Sequence, residues 1–212
     1  MLAVSCSDIL DDAEYVDDIK LGAKEKFVEC PSGYGECSFE VVSNCAYSAR
    51  ISEGAEWLSF TGKEGSEIEL SGSTTLSLSY TSNRGYRRCG VLVLSSAERN
   101  DTLRVKQEGS YIQAISADIQ QIDVPGEGGE YHVGIQTNLI KKDLKFETVD
   151  MKGFPIIDKV DRYDFSDNVF SFRILPSVSR DEKIFYVRIY TVDGWGEKIS
   201  TDIKITQKPG RK

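Results

Sequence analysis

Gly35-Glu36-Cys37-Ser38-Phe39-Glu40-Val41-Val42-Ser43-Asn44 is matched further along the chain by Gly129-Glu130-Tyr131-His132-Val133-Gly134-Ile135-Gln136-Thr137-Asn138. Each stretch leaves a glycine turn, alternates side chains with period two and ends on a polar residue followed by asparagine. That period is the mark of a strand with one buried face. The closing segments of the two halves also match, with Leu103-Arg104-Val105-Lys106-Gln107 against Ile203-Lys204-Ile205-Thr206-Gln207. A repeat this long means duplicated whole domains, not a solenoid.

The text between these landmarks is also strands. Thr75-Leu76-Ser77-Leu78-Ser79-Tyr80, Val91-Leu92-Val93-Leu94, Phe170-Ser171-Phe172-Arg173-Ile174 and Ile184-Phe185-Tyr186-Val187-Arg188-Ile189-Tyr190 are apolar-rich runs. Turn clusters such as Thr61-Gly62-Lys63-Glu64-Gly65 and Ser71-Gly72-Ser73 separate them, and Asp193-Gly194 predicts a hairpin after the long strand. Many short strands without an amphipathic helix predict an all-β chain of two consecutive immunoglobulin-like β-sandwich modules. The expected divisions are a truncated signal end followed by an acidic flexible tether over 1–20, one module over 21–110 and a second over 111–212. The boundary near Gly109-Ser110-Tyr111 leaves a short linker that restricts swinging.

At 212 residues the chain suits two modules, each large enough to bury its own core. The net charge of -8, with no basic stripe among aromatics, argues against nucleic acid. No apolar run reaches the roughly 20 residues of a membrane-spanning helix.

Leu2-Ala3-Val4-Ser5-Cys6 resembles the end of a bacterial lipoprotein signal peptide, with Cys6 as the acylated residue. Ser7-Asp8-Ile9-Leu10-Asp11-Asp12 is similar to the acidic export tether of Bacteroidetes surface lipoproteins. The apolar segment before Cys6 is short for a signal peptide. The resemblance implies a cell-envelope protein held at the outer membrane by a lipid on Cys6, on the surface or beneath it.

Cys30, Cys37, Cys45 and Cys89 all fall in the first module. In an oxidising compartment they allow disulfides, and the turn-rich loop between Cys30 and Cys37 makes that pair the first choice, with Cys45–Cys89 as complement. Alternatively Cys45 and Cys89 are reduced core residues. With no CxxC pair and His132 in the other module, no metal site is expected.

Trp57-Leu58-Ser59-Phe60, Asn83-Arg84-Gly85-Tyr86-Arg87-Arg88 and the ending Val105-Lys106-Gln107-Glu108-Gly109, together with the glycine turn and Ser43-Asn44, resemble a BACON module (Bacteroidetes-associated carbohydrate-binding often N-terminal). The likeness covers 26–109 and, more weakly, 113–208. It implies an immunoglobulin-like sandwich on exported glycan-handling proteins, some members of which act as spacers.

Catalysis is not expected. The single histidine, His132, reads as a solvent-facing strand residue, and no cofactor is implied. Asp158, Asp161, Asp164 and Asp167 lack calcium-loop spacing and read as a solvated acidic loop. For sugar stacking, Trp57 reads as core. Trp195 at the expected hairpin tip is the best candidate, unless it folds back over Tyr190 or Ile199. Tyr163, Tyr86 and Tyr34 follow. Arg84, Arg87 and Arg88 either meet an acidic partner or serve the turn, one as a brace and the rest solvated. Two roles result: a non-catalytic glycan-binding or adhesive accessory, or a spacer or protein-interaction module working with other surface lipoproteins or a transporter.

Overall fold

The first quoted stretch is strand β3 (Gly35–Ser43), and its inward side chains Phe39 and Val41 are buried while Ser38 and Glu40 face out. The computed structural model describes residues 18–139 and 141–210, so Cys6 and most of the tether lie outside the described residues. β3 lies between β1 (Leu21–Ala23) and β7 (Thr74–Tyr80), with β5 (Leu58–Phe60) on the far side of β7. The facing sheet runs in the order β2 (Phe27–Cys30), β9 (Asn100–Gln107), β8 (Arg88–Ser95), β4 (Ala46–Glu53) and β6 (Glu67–Ser71). Leu76 and Leu78 from the first sheet share one core with Leu92, Leu94, Leu103, Val105 and Tyr47 from the second. Each fully buried large apolar side chain stabilises by roughly 2 kcal/mol. Trp57 belongs to this core, as its sequence context predicts, and Gly90 leaves the gap that its ring and Leu58 fill.

The second module repeats the plan without a counterpart of β6. One sheet is β10 (Ile115–Ala117), β12 (Gly129–Thr137), β15 (Val169–Ile174) and β14 (Val160–Ser166). The other is β11 (Gln121–Val124), β17 (Lys198–Gln207), β16 (Lys183–Val192) and β13 (Lys145–Val149). Taken in chain order this is the ABED-over-CFG arrangement of an immunoglobulin sandwich, with the first strand split so that its second half pairs with the last strand. That split is present in both modules: β2 runs parallel to β9, and β11 runs parallel to β17. The fold class predicted from the alternation is therefore the observed one. Among the described residues there is no α-helix, only one 3₁₀ turn at Lys141–Asp143, and no helix long and apolar enough to cross a membrane.

The acidic stretch departs from expectation. Asp161 and Asp164 lie on β14, an edge strand, and not in a loop. Asp167 and Asn168, with φ of 47° and 64°, form the two-residue turn into β15. Both central residues of a type I′ hairpin need positive φ, and Asp and Asn tolerate it best after glycine.

Both closing strands end on a buried glutamine. The Gln107 side-chain amide donates to the carbonyls of Pro31, Gly33 and Thr81 at 3.1, 3.1 and 2.9 Å, and its oxygen accepts from Arg88 Nε at 2.8 Å. Gln207 donates to the Leu175 carbonyl at 2.7 Å, but its side-chain oxygen has no partner. Gln107 is thus a knot that gathers loops at one end of its sandwich, and Gln207 ties a single segment at the same end of the other.

Candidate functional site

The β16–β17 hairpin, formed where Asp193-Gly194 predicts one, has a five-residue loop, Asp193 to Glu197. Asp193 shapes it: its carboxylate accepts the backbone N–H of Trp195 at 2.9 Å and of Glu197 at 2.8 Å, and Gly196 supplies the positive φ of 84°. This geometry presents Trp195 away from its own strands and into the end of the first module. Trp195 is only 8% exposed, and its indole N–H is shared between the carbonyls of Arg88 and Gln107, each at 3.2 Å. The expectation of a solvent-facing stacking platform is corrected here, and so is the alternative of a ring folded over Tyr190 or Ile199. The ring needs an apolar pocket and an acceptor for its N–H. The neighbouring module offers both.

The receiving surface is the arginine turn. The Arg87 guanidinium lies 4.3 Å from the Trp195 ring centroid and Lys106 Nζ lies 5.2 Å from it. Arg87 also holds Glu108 of its own module through two bonds of 2.9 and 3.1 Å, and reaches Glu197 at 3.3 Å and Asp193 at 3.5 Å across the junction. The last contact is an ion pair and not a hydrogen bond, because that Asp193 oxygen lacks bonding geometry. The hydrogen bonds that Arg87 donates to Glu108, with the surrounding carboxylate charges, raise its pKa against the opposing effect of burial. Arg88 turns the other way and covers Trp57 at 4.3 Å. Two of the three arginines are thus engaged, and only Arg84 is exposed, which corrects the expectation of a single bracing arginine.

Asn83 fixes this turn from inside. Buried, it donates to the carbonyls of Tyr86 and Glu108 at 2.7 and 3.1 Å and accepts the Gly85 N–H at 3.0 Å. Tyr86, a sugar-stacking candidate by sequence, donates its hydroxyl to the Asn138 carbonyl of the second module and meets the Tyr111 ring edge-on at 6.3 Å. It belongs to the junction, which corrects its assignment as an open platform. Asn138 in turn clamps the linker, donating to the Ile112 carbonyl at 2.7 Å and accepting the Ala114 N–H at 3.0 Å. Backbone contact is equally close: a Cβ on Gly194 would stand 2.1 Å from the Arg87 carbonyl oxygen.

Tyr34 and Tyr163 remain exposed, at 84% and 59%, but they belong to different modules. Tyr163 leans on Phe146 with centroids 4.1 Å apart. It borders a shallow depression of about 180 Å³ lined by Glu130, His132, Arg162, Asp164, Ser171 and Arg173. His132 is solvent-facing there, as its strand position predicts, with Nδ1 2.8 Å from the Ser171 hydroxyl. Sequence reading missed a second surface, the loop between β13 and β14. There the Asp150 carboxylate accepts the N–H groups of Lys152 and Phe154 at 2.8 and 2.9 Å, and Met151, Phe154 and Ile157 are left exposed.

The cysteines divide. Cys30 and Cys37 lie against each other in the core of the first module. Cys45 and Cys89 cannot pair. Ser48 on β4 faces Ser95 on β8, so Cys45 lies beyond one end of the ladder and Cys89 near the other. That separation is about nine residue positions, or roughly 30 Å, against a limit near 7 Å between bridged Cα atoms. No group of three metal-ligating side chains occurs among the described residues.

Comparison with known proteins gives likeness of fold alone. No family model and no curated protein matches the chain. The I67–I69 I-band fragment from titin is similar over 91% of this chain at 14% identity and a TM-score of 0.36, and the chain spans 64% of that fragment's length. The titin domains Z1Z2 in complex with telethonin are similar over 90% of this chain and 93% of theirs, at 10% identity and a TM-score of 0.30. A Bacteroides ovatus GH5 xyloglucanase in complex with a XXXG heptasaccharide is similar over 51% of this chain and 22% of its own, at 14% identity and a TM-score of 0.35. Scores this low carry no functional argument. The immunoglobulin-like assignment stands on the strand order itself.

Proposed function

We propose that the chain is a non-catalytic, lipid-anchored envelope protein whose two sandwiches act as one stiff spacer and interaction arm. The observation that carries this reading is the Trp195 plug. Two immunoglobulin-like modules joined by a short linker ordinarily move against each other unless their interface is substantial. Here a buried indole, a guanidinium stacked on it and a linker clamp all resist that motion. Residues used in this way are not available to stack on a sugar, so the strongest glycan-binding candidate is spent on rigidity. BACON-type membership, anchorage through Cys6 at the outer membrane and partnership with other surface lipoproteins or a transporter belong to the same proposal. The exposed Met151, Phe154 and Ile157 would meet a protein partner.

Small-angle scattering tests the core of the proposal. The expected result is one extended particle whose maximum dimension does not change with ionic strength; a broad distribution of inter-module angles would sink it. A second reading, glycan binding, draws on the depression beside Tyr163. It would gain from retention on a polysaccharide affinity gel that Tyr163→Ala and Arg162→Ala abolish.

A further inference from the structure

The short loop between β2 and β3 joins the two sheets of the first module, and a cysteine stands at each end of it. Cys30 closes β2 with its side chain buried, and Cys37 points into the same core from β3, in line with Phe39 and Val41. The two side chains therefore enter one core from facing sheets, close enough for each thiol to perturb the other. From this placement we propose that Cys30 and Cys37 form a disulfide between the two sheets, directly behind the surface that receives Trp195, while Cys45 and Cys89 remain thiols.

The location gives the bridge a consequence. Cys30 is paired with Gln107, and its carbonyl accepts the Glu108 N–H at 2.9 Å. The loop closed by the pair supplies the Pro31 and Gly33 carbonyls that hold the Gln107 amide. Gln107 in turn offers its own carbonyl to the Trp195 indole. A bond between the sulfurs fixes the loop that fixes Gln107, and so fixes the seat of the plug. Nothing comparable supports the other two thiols: Cys45 has only weak contacts with Ser43 and the Lys20 carbonyl, and Cys89 lies too far away to pair with it.

The contact also polarises the pair. Hydrogen bonding from Cys37 lowers the Cys30 pKa against the opposing effect of burial, and the same bond, with burial, raises that of Cys37. The reaction needs a disulfide oxidant, such as oxidised glutathione or a protein disulfide of an oxidising compartment. One cysteine, as thiolate, attacks a sulfur of the oxidant and expels one thiolate, leaving a mixed disulfide. The second cysteine loses its proton, attacks the first cysteine's sulfur and expels the other thiolate. The oxidant gains two electrons and leaves as two thiols.

The test uses the full chain, treated with oxidised glutathione, unfolded, alkylated without reduction and cleaved after Glu36 so that Cys30 and Cys37 fall on separate peptides. The expected result is one cross-linked pair, Cys30 with Cys37, with Cys45 and Cys89 alkylated; reductant should separate the pair. Full alkylation of Cys30 and Cys37, or a bridge that includes Cys45 or Cys89, would overturn the proposal. The bridged protein should also melt higher than the reduced protein, by on the order of 10 °C for the first module. Cys37→Ser should show no redox-dependent shift. A bridge that leaves the melting midpoint and Trp195 quenching unchanged on reduction would overturn the stapling role.

Discussion

Gly194→Ala is the sharpest test of the docked arrangement, because it adds one methyl group where the second module touches the first. Gly194 does not use a left-handed φ, so alanine leaves its own hairpin unstrained. The new Cβ would stand 2.1 Å from the Arg87 carbonyl oxygen and 2.9 Å from both Arg87 C and Arg88 Cα, all backbone atoms that cannot swing aside. Restoring ordinary van der Waals contact requires the hairpin to withdraw by about 1.3 Å or more. The Trp195 N–H bonds are already 3.2 Å long, so that withdrawal breaks both. Overpacking of this kind costs about 1–3 kcal/mol, and the lost indole bonds add about 1 kcal/mol. A total near 2–4 kcal/mol shifts the docked-to-undocked ratio by roughly 30- to 900-fold. The assay is acrylamide quenching of tryptophan fluorescence together with small-angle scattering. Trp57, buried within its own module, gives a constant unquenched background. The variant should show a quenchable Trp195 population and a wider range of particle dimensions, with each module still folded. Wild-type quenching and scattering from Gly194→Ala would refute the claim that this contact holds the modules together.

Three further outcomes follow from individual contacts. Trp195→Ala should uncouple the two melting transitions and cost up to about 3–5 kcal/mol of the coupled stability, which calorimetry would show as two peaks in place of one. Gln107→Ala should destabilise its module by about 3 kcal/mol in a urea titration, more than Gln207→Ala does, because four hydrogen bonds are lost in one case and one in the other; equal losses would count against the knot. Burial raises the Asp101 pKa, but hydrogen bonds from Lys26 and from the N–H groups of Ala23 and Thr102, with the Lys26 charge, outweigh it and leave that pKa below the usual carboxylate value. Since the folded pKa is the lower one, its stabilisation is present at neutral pH and is lost as pH falls through the depressed value. Asp101→Ala should cost about 2 kcal/mol at pH 7 and should flatten the acid limb of the stability profile; an unchanged acid limb would contradict this.

The strands were legible because burial imposes period two, and both glycine-led stretches fell on core-facing strands as their alternation requires. Trp57 was legible for the same reason: it sits within a local apolar run. Trp195 was not, because Asp193-Gly194-Trp195-Gly196 reports only that the indole leaves its own strands. Whether it meets water or another module depends on a surface contributed by Arg87, Arg88 and Gln107, far away in the sequence. The acidic run misled in the opposite way. A strand at the sheet edge can keep Asp161, Arg162 and Asp164 in water, so polarity there does not mean a loop. The Cys45–Cys89 pairing failed on register, which parity in a cysteine count cannot supply.

The duplicated ending shows how two copies of one fold came to play different parts. In both modules the closing strand ends on a buried glutamine at the same end of the sandwich. In the first, Arg88 satisfies the Gln107 side-chain oxygen and Arg87, held on Glu108, covers the Trp195 ring, so this end receives. In the second, the Gln207 oxygen has no such partner, and the arginine turn is missing from the sequence between β15 and β16. The second module instead carries the indole on the hairpin at its opposite end. Receiver and plug are thus on different copies, so the contact runs end to end and lengthens the particle instead of folding it back on itself. A glycan-stacking tryptophan would need the reverse, a ring left in water. On the proposed reading, the pairing of a hairpin plug with an arginine seat is what separates an arm from a pair of independent binding modules.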